Sequence, residues 1–524
     1  MKEYGFPISN SLITKIAIFL IFIFVFVALF PILLERDFTP ANELRYLSIA
    51  DEAIRNNHFF FFTNQGEPYA DKPPLFLWIV MLGKVLLGHH SILFLSLFSL
   101  LPAFIIAFVM DRWIAPHISF SIRVAALMML FSTAMFIGSA VVIRMDMLMA
   151  MFIILALRIF FSMEEEENNK RIYSWLFPIC VFMAIFTKGP IGLLIPLIST
   201  ITYLLVNKKA YHIKRYWGVT TWVILLTLSF LWFANTYMEG GKEFLYNQLF
   251  HQTVGRAVNS FHHDKPFYYY LISFWYSLAP WSILIVVTVI SGIRSKVERI
   301  GLEKFFMCII GTSFLLLSLI SSKLDIYMLP LFPFWIYMSV LWLSRVKNYK
   351  IIIASLIIPA IALVLALFAD INLTNSNNND FRFDLTFPAA ISLTLFGIIT
   401  VILLFRKRVI CAIATIFMGI YISIFLLGWN VKYLNNYIGY GEICQEVKKV
   451  RKQYSLSDKT YVYKMKNAQD MDVYLNYEVI ILQKPLEEYT PKGLIILPSK
   501  LLPKSLQKET IIIKKDPYTI LVNK

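Results

Sequence analysis

The sequence predicts an all-α polytopic membrane protein that ends in a small α/β soluble domain. Three observations carry this expectation. Hydrophobic residues make up 58% of the 524 and charged residues only 16%, and the mean hydropathy of +0.65 lies well outside the soluble range. Apolar runs long enough to cross a bilayer follow one another from residue 12 to residue 428. Beyond residue 430 hydrophobicity drops and short β-branched runs replace them.

In chain order, residues 1–10 carry Lys2 without a cleavage-site pattern. The run 12–34 is therefore expected to be a retained first span that leaves the N-terminus in the cytoplasm. Later runs fall at 91–111, 118–141, 147–163, 172–187, 190–206, 217–236, 270–292, 305–321, 326–344, 351–369, 385–405 and 409–428, so about thirteen transmembrane helices are expected. Residues 73–88 are apolar but short, open on Pro73-Pro74 and contain Lys84. They are expected to lie in the interface, a true span being the alternative.

Charge favours that choice. The clusters Lys208/Lys209/Lys214/Arg215, Arg294/Lys296/Arg299/Lys304, Arg345/Lys347/Lys350 and Arg406/Lys407/Arg408 then share one side, as cytoplasmic loops do. Counting 73–88 as a span would put them outside. The net charge of +16 is thus explained by topology, and no nucleic acid partner is called for. The protein is expected in a bacterial inner membrane with its C-terminal domain in the periplasm. Cys180, Cys308, Cys411 and Cys444 stand apart from one another, which gives no disulfide framework or thiolate metal site.

Two domains are expected, a membrane domain over 1–429 and a periplasmic α/β domain over 430–524. In the latter, residues 442–454 have helical spacing, and 460–463, 479–482, 494–497, 510–513 and 519–522 read as strands. It carries no recognisable motif, and a stabilising or acceptor-docking role is expected.

The outer side receives the polar residues. The loop 36–74 gathers Glu43, Arg45, Asp51, Glu52, Asp71 and Lys72 where lipid meets water, and charge is costly to hold there without a function. Within Asn42-Glu43-Leu44-Arg45-Tyr46 a carboxylate could serve as a base or metal ligand and Arg45 could hold phosphate. An amphipathic interfacial helix is the plain alternative. Asp71-Lys72-Pro73-Pro74 fixes an acid and a cation on a rigid turn. Further outer candidates are Arg144-Met145-Asp146, Thr187-Lys188-Gly189-Pro190, the loop with His251, Arg256, His262, His263 and Asp264, and the segment from Lys323 to Tyr327. Clustered histidines are more often solvated than ligating. Several cations with few acids at one face suit a lipid-linked phosphate.

The ordered set N-E-L-R-Y, Y-A-D-K-P-P-L, R-M-D, T-K-G-P, H-x4-R and K-L-D-I-Y-M-L-P resembles the dolichyl-phosphate-mannose/protein O-mannosyltransferase superfamily of GT-C glycosyltransferases. The bacterial branch containing the lipid A aminoarabinose transferases is the most similar, and the resemblance covers residues 1–430. It implies a GT-C fold and inverting transfer of a sugar from a polyprenyl phosphate to lipid A, another glycan, a lipid or a protein at the outer face, without a nucleotide cofactor. The resemblance further implies that Arg45, Lys72 and Arg256 hold the carrier phosphate and that Tyr327 lines its pocket. Asp71 and His251 match positions where relatives carry a divalent metal.

The family's first acidic position is Asn42 here. Glu43 must then substitute as base, or the acceptor arrives anionic, or activity is lost. Asn42, Glu43 and Asp146 are accordingly the expected catalytic residues, and Arg45, Tyr46, Lys72, Lys188, Arg256, Lys323 and Tyr327 the expected substrate-binding ones. Two competing readings are a transporter or flippase of lipid-linked substrates, and a degenerate member serving as scaffold. A transporter predicts midplane charges and related halves, and neither is visible.

Overall fold

The computed structural model describes residues 12–166, 170–250, 265–346, 349–377, 380–456, 459–486, 492–502 and 511–523. Among these, ten helices are long and apolar enough to cross a membrane, twelve if each of two bent helix pairs is one span, where the sequence predicts about thirteen. The first helices are α1 (Leu12–Glu35), α2 (Arg45–Asn56), α3 (Pro74–Leu87), α4 (Ile92–Ile114), α5 (Phe120–Phe131), α6 (Ala134–Val141), α7 (Asp146–Glu164), α8 (Arg171–Lys188) and α9 (Ile191–Val206). Every expected apolar run is helical. The run at 190–206 yields only the 16 residues of α9, and α3 has 14, short for a bilayer crossing.

By their contacts the residues form two compact units. One comprises Met1–Pro31, Ala70–Leu75 and Ser96–Leu427, the other Ile32–Tyr69, Phe76–Leu95 and Gly428–Lys524.

The first unit is the helical bundle. Its lower core is aromatic: Trp113 meets Phe306 edge-on at 5.2 Å, and Phe305 lies between Phe160 at 5.4 Å and Phe161 at 5.5 Å. Such ring pairs add fixed geometry to apolar contact. Two expected straight spans are bent instead, α5 with α6 by 63° and Tyr269–Ser277 with Ser282–Arg294 by 115°. At the first break Ser132 and Thr133 return their hydroxyls to the carbonyls of Met128 and Met129, at 2.5 and 2.9 Å, which competes with the helix ladder. The two breaks satisfy each other. The Trp281 indole N–H donates to Ser132 Oγ at 3.1 Å, and Ala134 N–H to the Ala279 carbonyl at 2.9 Å. Irregular backbone survives at membrane depth only when it is answered by protein in this way.

The second unit joins the first polar loop to the C-terminal sheet. The loop carries β1 (Thr63–Asn64) and β2 (Glu67–Pro68), paired antiparallel. The sheet consists of β3 (Thr460–Tyr463), β4 (Ile480–Leu482), β5 (Gly493–Pro498), β6 (Ile511–Lys515) and β7 (Tyr518–Asn523) in the order β4-β3-β5-β7-β6. Its β3 pairs run parallel and its β7 pairs antiparallel. Ile495, Leu497 and Leu521 are buried with Tyr463, Leu482 and Leu486 in one cluster.

Asp37 is the joint within this unit. It accepts hydrogen bonds from the Gly441 N–H at 2.7 Å and from the Tyr474 hydroxyl, while its own N–H donates to Asn435 Oδ1 at 2.9 Å. The helix N-terminus at Gly441 is a natural seat for a carboxylate. Burial nevertheless raises the Asp37 pKa above the ordinary carboxylate value, against the lowering effect of the Tyr474 and backbone hydrogen bonds and of the Arg36 charge.

Candidate active site

In the helical unit the charged side chains converge where α7 starts and α8 ends. Asp146 opens α7 and Lys188 closes α8. Gly189 follows with φ +100° and ψ −152°, a conformation essentially reserved for glycine. That kink lets Pro190 begin α9 at once and leaves Lys188 at the corner. The Lys188 ammonium pairs with the Asp146 carboxylate, and Arg144 Nε donates to the other oxygen at 3.1 Å. Lys72 contributes a third positive charge to the same carboxylate. Lys188 Nζ also sits 4.6 Å from the centroid of the Tyr327 ring, within cation–π range.

Beside this cluster lies a cavity of about 290 Å³. Asp71, Lys72, Lys188 and Tyr327 line it together with Trp232 and Gln248. Among the described residues three cations against Asp146 and Asp71 leave a surplus of one positive charge, and with apolar walls around it that charge is weakly screened. The arrangement suits a single anionic phosphodiester and stabilises the second negative charge that forms when its ester bond breaks. The volume is near the lower end for small-ligand sites, enough for a phosphate and part of a sugar.

The second group of expected residues belongs to the other unit. Residues Pro40–Leu44 make one π-helical turn leading into α2, an irregularity common at functional positions. Glu43 is fully buried and held by Arg36 through two bonds, NH1 to Oε2 at 2.7 Å and NH2 to Oε1 at 2.8 Å. The Thr39 N–H and hydroxyl add bonds to Oε2 at 2.8 and 3.1 Å. Arg45 is half-buried, its guanidinium 5.7 Å from the Tyr46 ring and 5.9 Å from the Tyr69 ring. Tyr46 is buried edge-on against Phe76 at 5.5 Å. Asn42, between Pro40 and Glu43, is partly exposed.

The remaining acids of this loop have structural partners. Asp51 binds His90 at 2.8 Å and Lys84 at 3.5 Å, and Glu52 accepts from the Thr63 hydroxyl at 2.5 Å and the Gly66 N–H at 3.0 Å.

Thus Asp71, Lys72, Asp146, Lys188 and Tyr327 come together, and Asn42, Glu43, Arg45 and Tyr46 form a second group on the π-helical turn and α2. Lys323 is buried and donates to the Lys265 carbonyl at 3.0 Å. It is Ser322, not Lys323, that reaches the cavity wall. His251, Arg256, His262, His263 and Asp264 lie outside the described residues. Sequence reading passed over Asp37, Trp232, Gln248 and Asp470. Only Asp37, an acid beside Arg36 at a span end, left a signal that could have been weighed.

Among the described residues no group of three or more His, Cys, Asp and Glu could hold a metal ion. The described cavity donors are one carboxylate beside two ammonium groups, a set that does not by itself fit a divalent cation.

The helices and this charged cavity define a class: polytopic membrane proteins with a positively charged recess among their spans. A family model described as dolichyl-phosphate-mannose-protein mannosyltransferase matches residues 56–241. The chain is similar to an uncharacterised protein of Aquifex aeolicus, 26% identical over 62% of this chain and 65% of the relative. It is also similar to the undecaprenyl phosphate-alpha-4-amino-4-deoxy-L-arabinose arabinosyl transferase 1 of Pseudomonas fluorescens, 24% identical over 62% of this chain and 58% of the relative. The chain therefore spans less than two thirds of either relative's length. The crystal structure of ArnT from Cupriavidus metallidurans bound to undecaprenyl phosphate superposes with a TM-score of 0.75 at 17% identity, covering 97% of this chain and 98% of that one. The resemblance drawn from the motifs is borne out, and the chain carries the ArnT-like GT-C fold.

Proposed function

We propose that this protein is an inverting glycosyltransferase that moves a sugar from a polyprenyl phosphate to an acceptor at the outer face of a bacterial inner membrane. The observation that carries the reading is the cavity in which Lys72 and Lys188 face Tyr327 with Asp146 and Arg144 behind them. A polyprenyl phosphate leaves only as fast as its developing charge is neutralised, and two ammonium groups in a water-poor recess do this without a nucleotide. Lys72, Lys188 and Tyr327 hold the phosphate, with Arg45 and Arg256 as further anion partners. Asp146 fixes Lys188 in place. A relative named for undecaprenyl phosphate-alpha-4-amino-4-deoxy-L-arabinose supports a polyprenyl-phosphate donor, and the acceptor is lipid A, another glycan, a lipid or a protein.

In the reaction an acceptor oxygen attacks the anomeric carbon opposite the phosphate. The bond from that carbon to the phosphate oxygen breaks, and its electron pair stays on the phosphate. Glu43 already accepts four hydrogen bonds, so its role in this proposal is to hold the turn that carries Asn42 and Arg45. The acceptor then arrives ionised, as a phosphate does, and no proton has to be removed. The motif resemblance alone assigns a divalent ion to Asp71 and His251, and no step of the proposed reaction uses one. The membrane catalytic domain is assigned to 1–429 and the periplasmic domain to 430–524, with the N-terminus cytoplasmic.

Purified protein is given a panel of polyprenyl-phosphate sugars and total envelope lipid, and labelled sugar is followed into the acceptor. Wild type should transfer from at least one donor, while Lys72→Ala and Lys188→Ala lose transfer and weaken carrier binding. Carrier binding without turnover of any donor would refute the enzyme reading.

A further inference from the structure

We propose that an anionic phospholipid, from the leaflet in which the first span begins, occupies a groove between α1, α4 and α5 and is held by Lys15 and Arg112. The groove is about 510 Å³ and is walled by Phe19, Phe22, Phe26, Phe104 and Phe108. Its residues all belong to the helical unit. Lys15 lies in the first turn of α1 and Arg112 in the last turn of α4, so both cations stand at the same mouth. The aromatic residues follow Lys15 along one face of α1, four, seven and eleven positions on, which takes the wall progressively deeper at 1.5 Å per residue. A charged mouth above an apolar channel matches a lipid with its headgroup at the interface and a chain below.

Charge complementarity selects the headgroup. Asp111 is the only acid among the described groove residues. It is bound by Arg123 through two bonds, at 3.0 and 2.5 Å, with both side chains nearly inaccessible, so this pair is neutral. Lys15 and Arg112 are exposed and leave the mouth two charges positive. Arg112 also lies 5.2 Å from the Phe108 ring, which fixes its fork where it can bind phosphate bidentately. Basic pockets between spans favour anionic lipid headgroups in this way.

The occupant is a leaflet phospholipid and not the carrier of the proposed reaction. With α5 and α6 together read as one span, Arg112 and the Arg144-Asp146 corner lie at opposite ends of the bundle, and the groove opens on the opposite membrane face from the cavity. Lipid binding in the groove is independent of glycosyl transfer and stands even if that reading fails.

The test is native mass spectrometry of the full chain in detergent, titrated with phosphatidylglycerol, phosphatidylcholine and undecaprenyl phosphate. Each cation near a headgroup is worth about a factor of five in affinity. Wild type should therefore retain phosphatidylglycerol over phosphatidylcholine by roughly thirty-fold at most. Lys15→Gln with Arg112→Gln should bring the ratio close to one. Arg406→Gln with Arg408→Gln, exposed cations outside the groove, should preserve it. An unchanged ratio in the first variant, an equal loss in the control, or undecaprenyl phosphate displacing phosphatidylglycerol from this groove would each overturn the proposal. A tryptophan at Phe108 quenched by brominated phosphatidylglycerol gives the location independently, and absence of quenching there counts against it.

Discussion

Replacing Asp146 by Asn tests the charged corner most directly. The Asp146 side chain is 2% exposed and that of Lys188 6%, so the substitution strands an ammonium whose other close neighbour is the Tyr327 ring. Breaking a buried pair from one side costs about 3–5 kcal/mol, and the ring offsets about 1 of that. A loss of about 2–4 kcal/mol is expected. Lys188→Met should cost less, because Arg144 and Lys72 still neutralise the carboxylate. The double variant removes both charges, and a neutral pair of similar size is often no worse than the ion pair. It should therefore be more stable than Asp146→Asn alone, with a coupling of about 2 kcal/mol. The measurement is equilibrium unfolding in mixed micelles for all four forms, with carrier binding followed in parallel. Strictly additive losses would refute the pairing. A double variant that is stable yet still binds carrier with wild-type affinity would refute the role of Lys188 in holding phosphate.

Other expected outcomes are as specific. Asp470 is fully buried, and among the described residues neither carboxylate oxygen has a hydrogen-bond partner. Burial first and the neighbouring Asp472 second raise its pKa to about 7, against the pull of Arg45. Its native form therefore binds a proton that the unfolded chain has released between about pH 4 and 7, and stability falls as pH rises through that window, by about 4 kcal/mol in all. Asp470→Asn should flatten this dependence, which melting curves at pH 5 and 8 would reveal; an unchanged slope would exclude Asp470 as its source. Gly189→Ala forces a side chain into φ +100°, so it should cost about 1–3 kcal/mol and weaken carrier binding with Lys72 and Lys188 untouched. Glu43→Gln should lower the melting temperature markedly, since it strips the charge from a buried bidentate pair with Arg36. A variant that melts normally but fails to transfer sugar would make Glu43 a catalytic base instead of a scaffold.

The helices were legible because lipid imposes a length and a composition on each crossing. The bends at Ser132 and at 278–281 were not, because each depends on a partner far along the chain. The corner of Asp146, Lys188, Lys72 and Tyr327 could be read as candidates, since ionisable residues at span ends stand out against an apolar background. Their convergence could not, because it depends on how α7, α8 and the 325–331 segment pack. Glu43 shows the opposite limit. Its residue type suggests a base, but the fold brings Arg36 and Thr39 onto its oxygens. Asp470 and Asp472 offered no motif at all. Their setting arises only when the turn at 468–475 packs beside Ser48, which donates to Asp472 at 2.9 Å.

The reciprocal bonds between the two bent helix pairs also bear on biosynthesis. The break at Ser132 and Thr133 leaves the translocon well before Ala279 and Trp281 have been made. Until then the Ala134 N–H has no carbonyl to meet, and the nascent segment must be sheltered by water or the insertion machinery. A chain stopped before residue 279 should accordingly be held or degraded, while one extended past 294 should partition stably into the bilayer. The order of synthesis thus makes a late pair of residues the checkpoint for an early crossing.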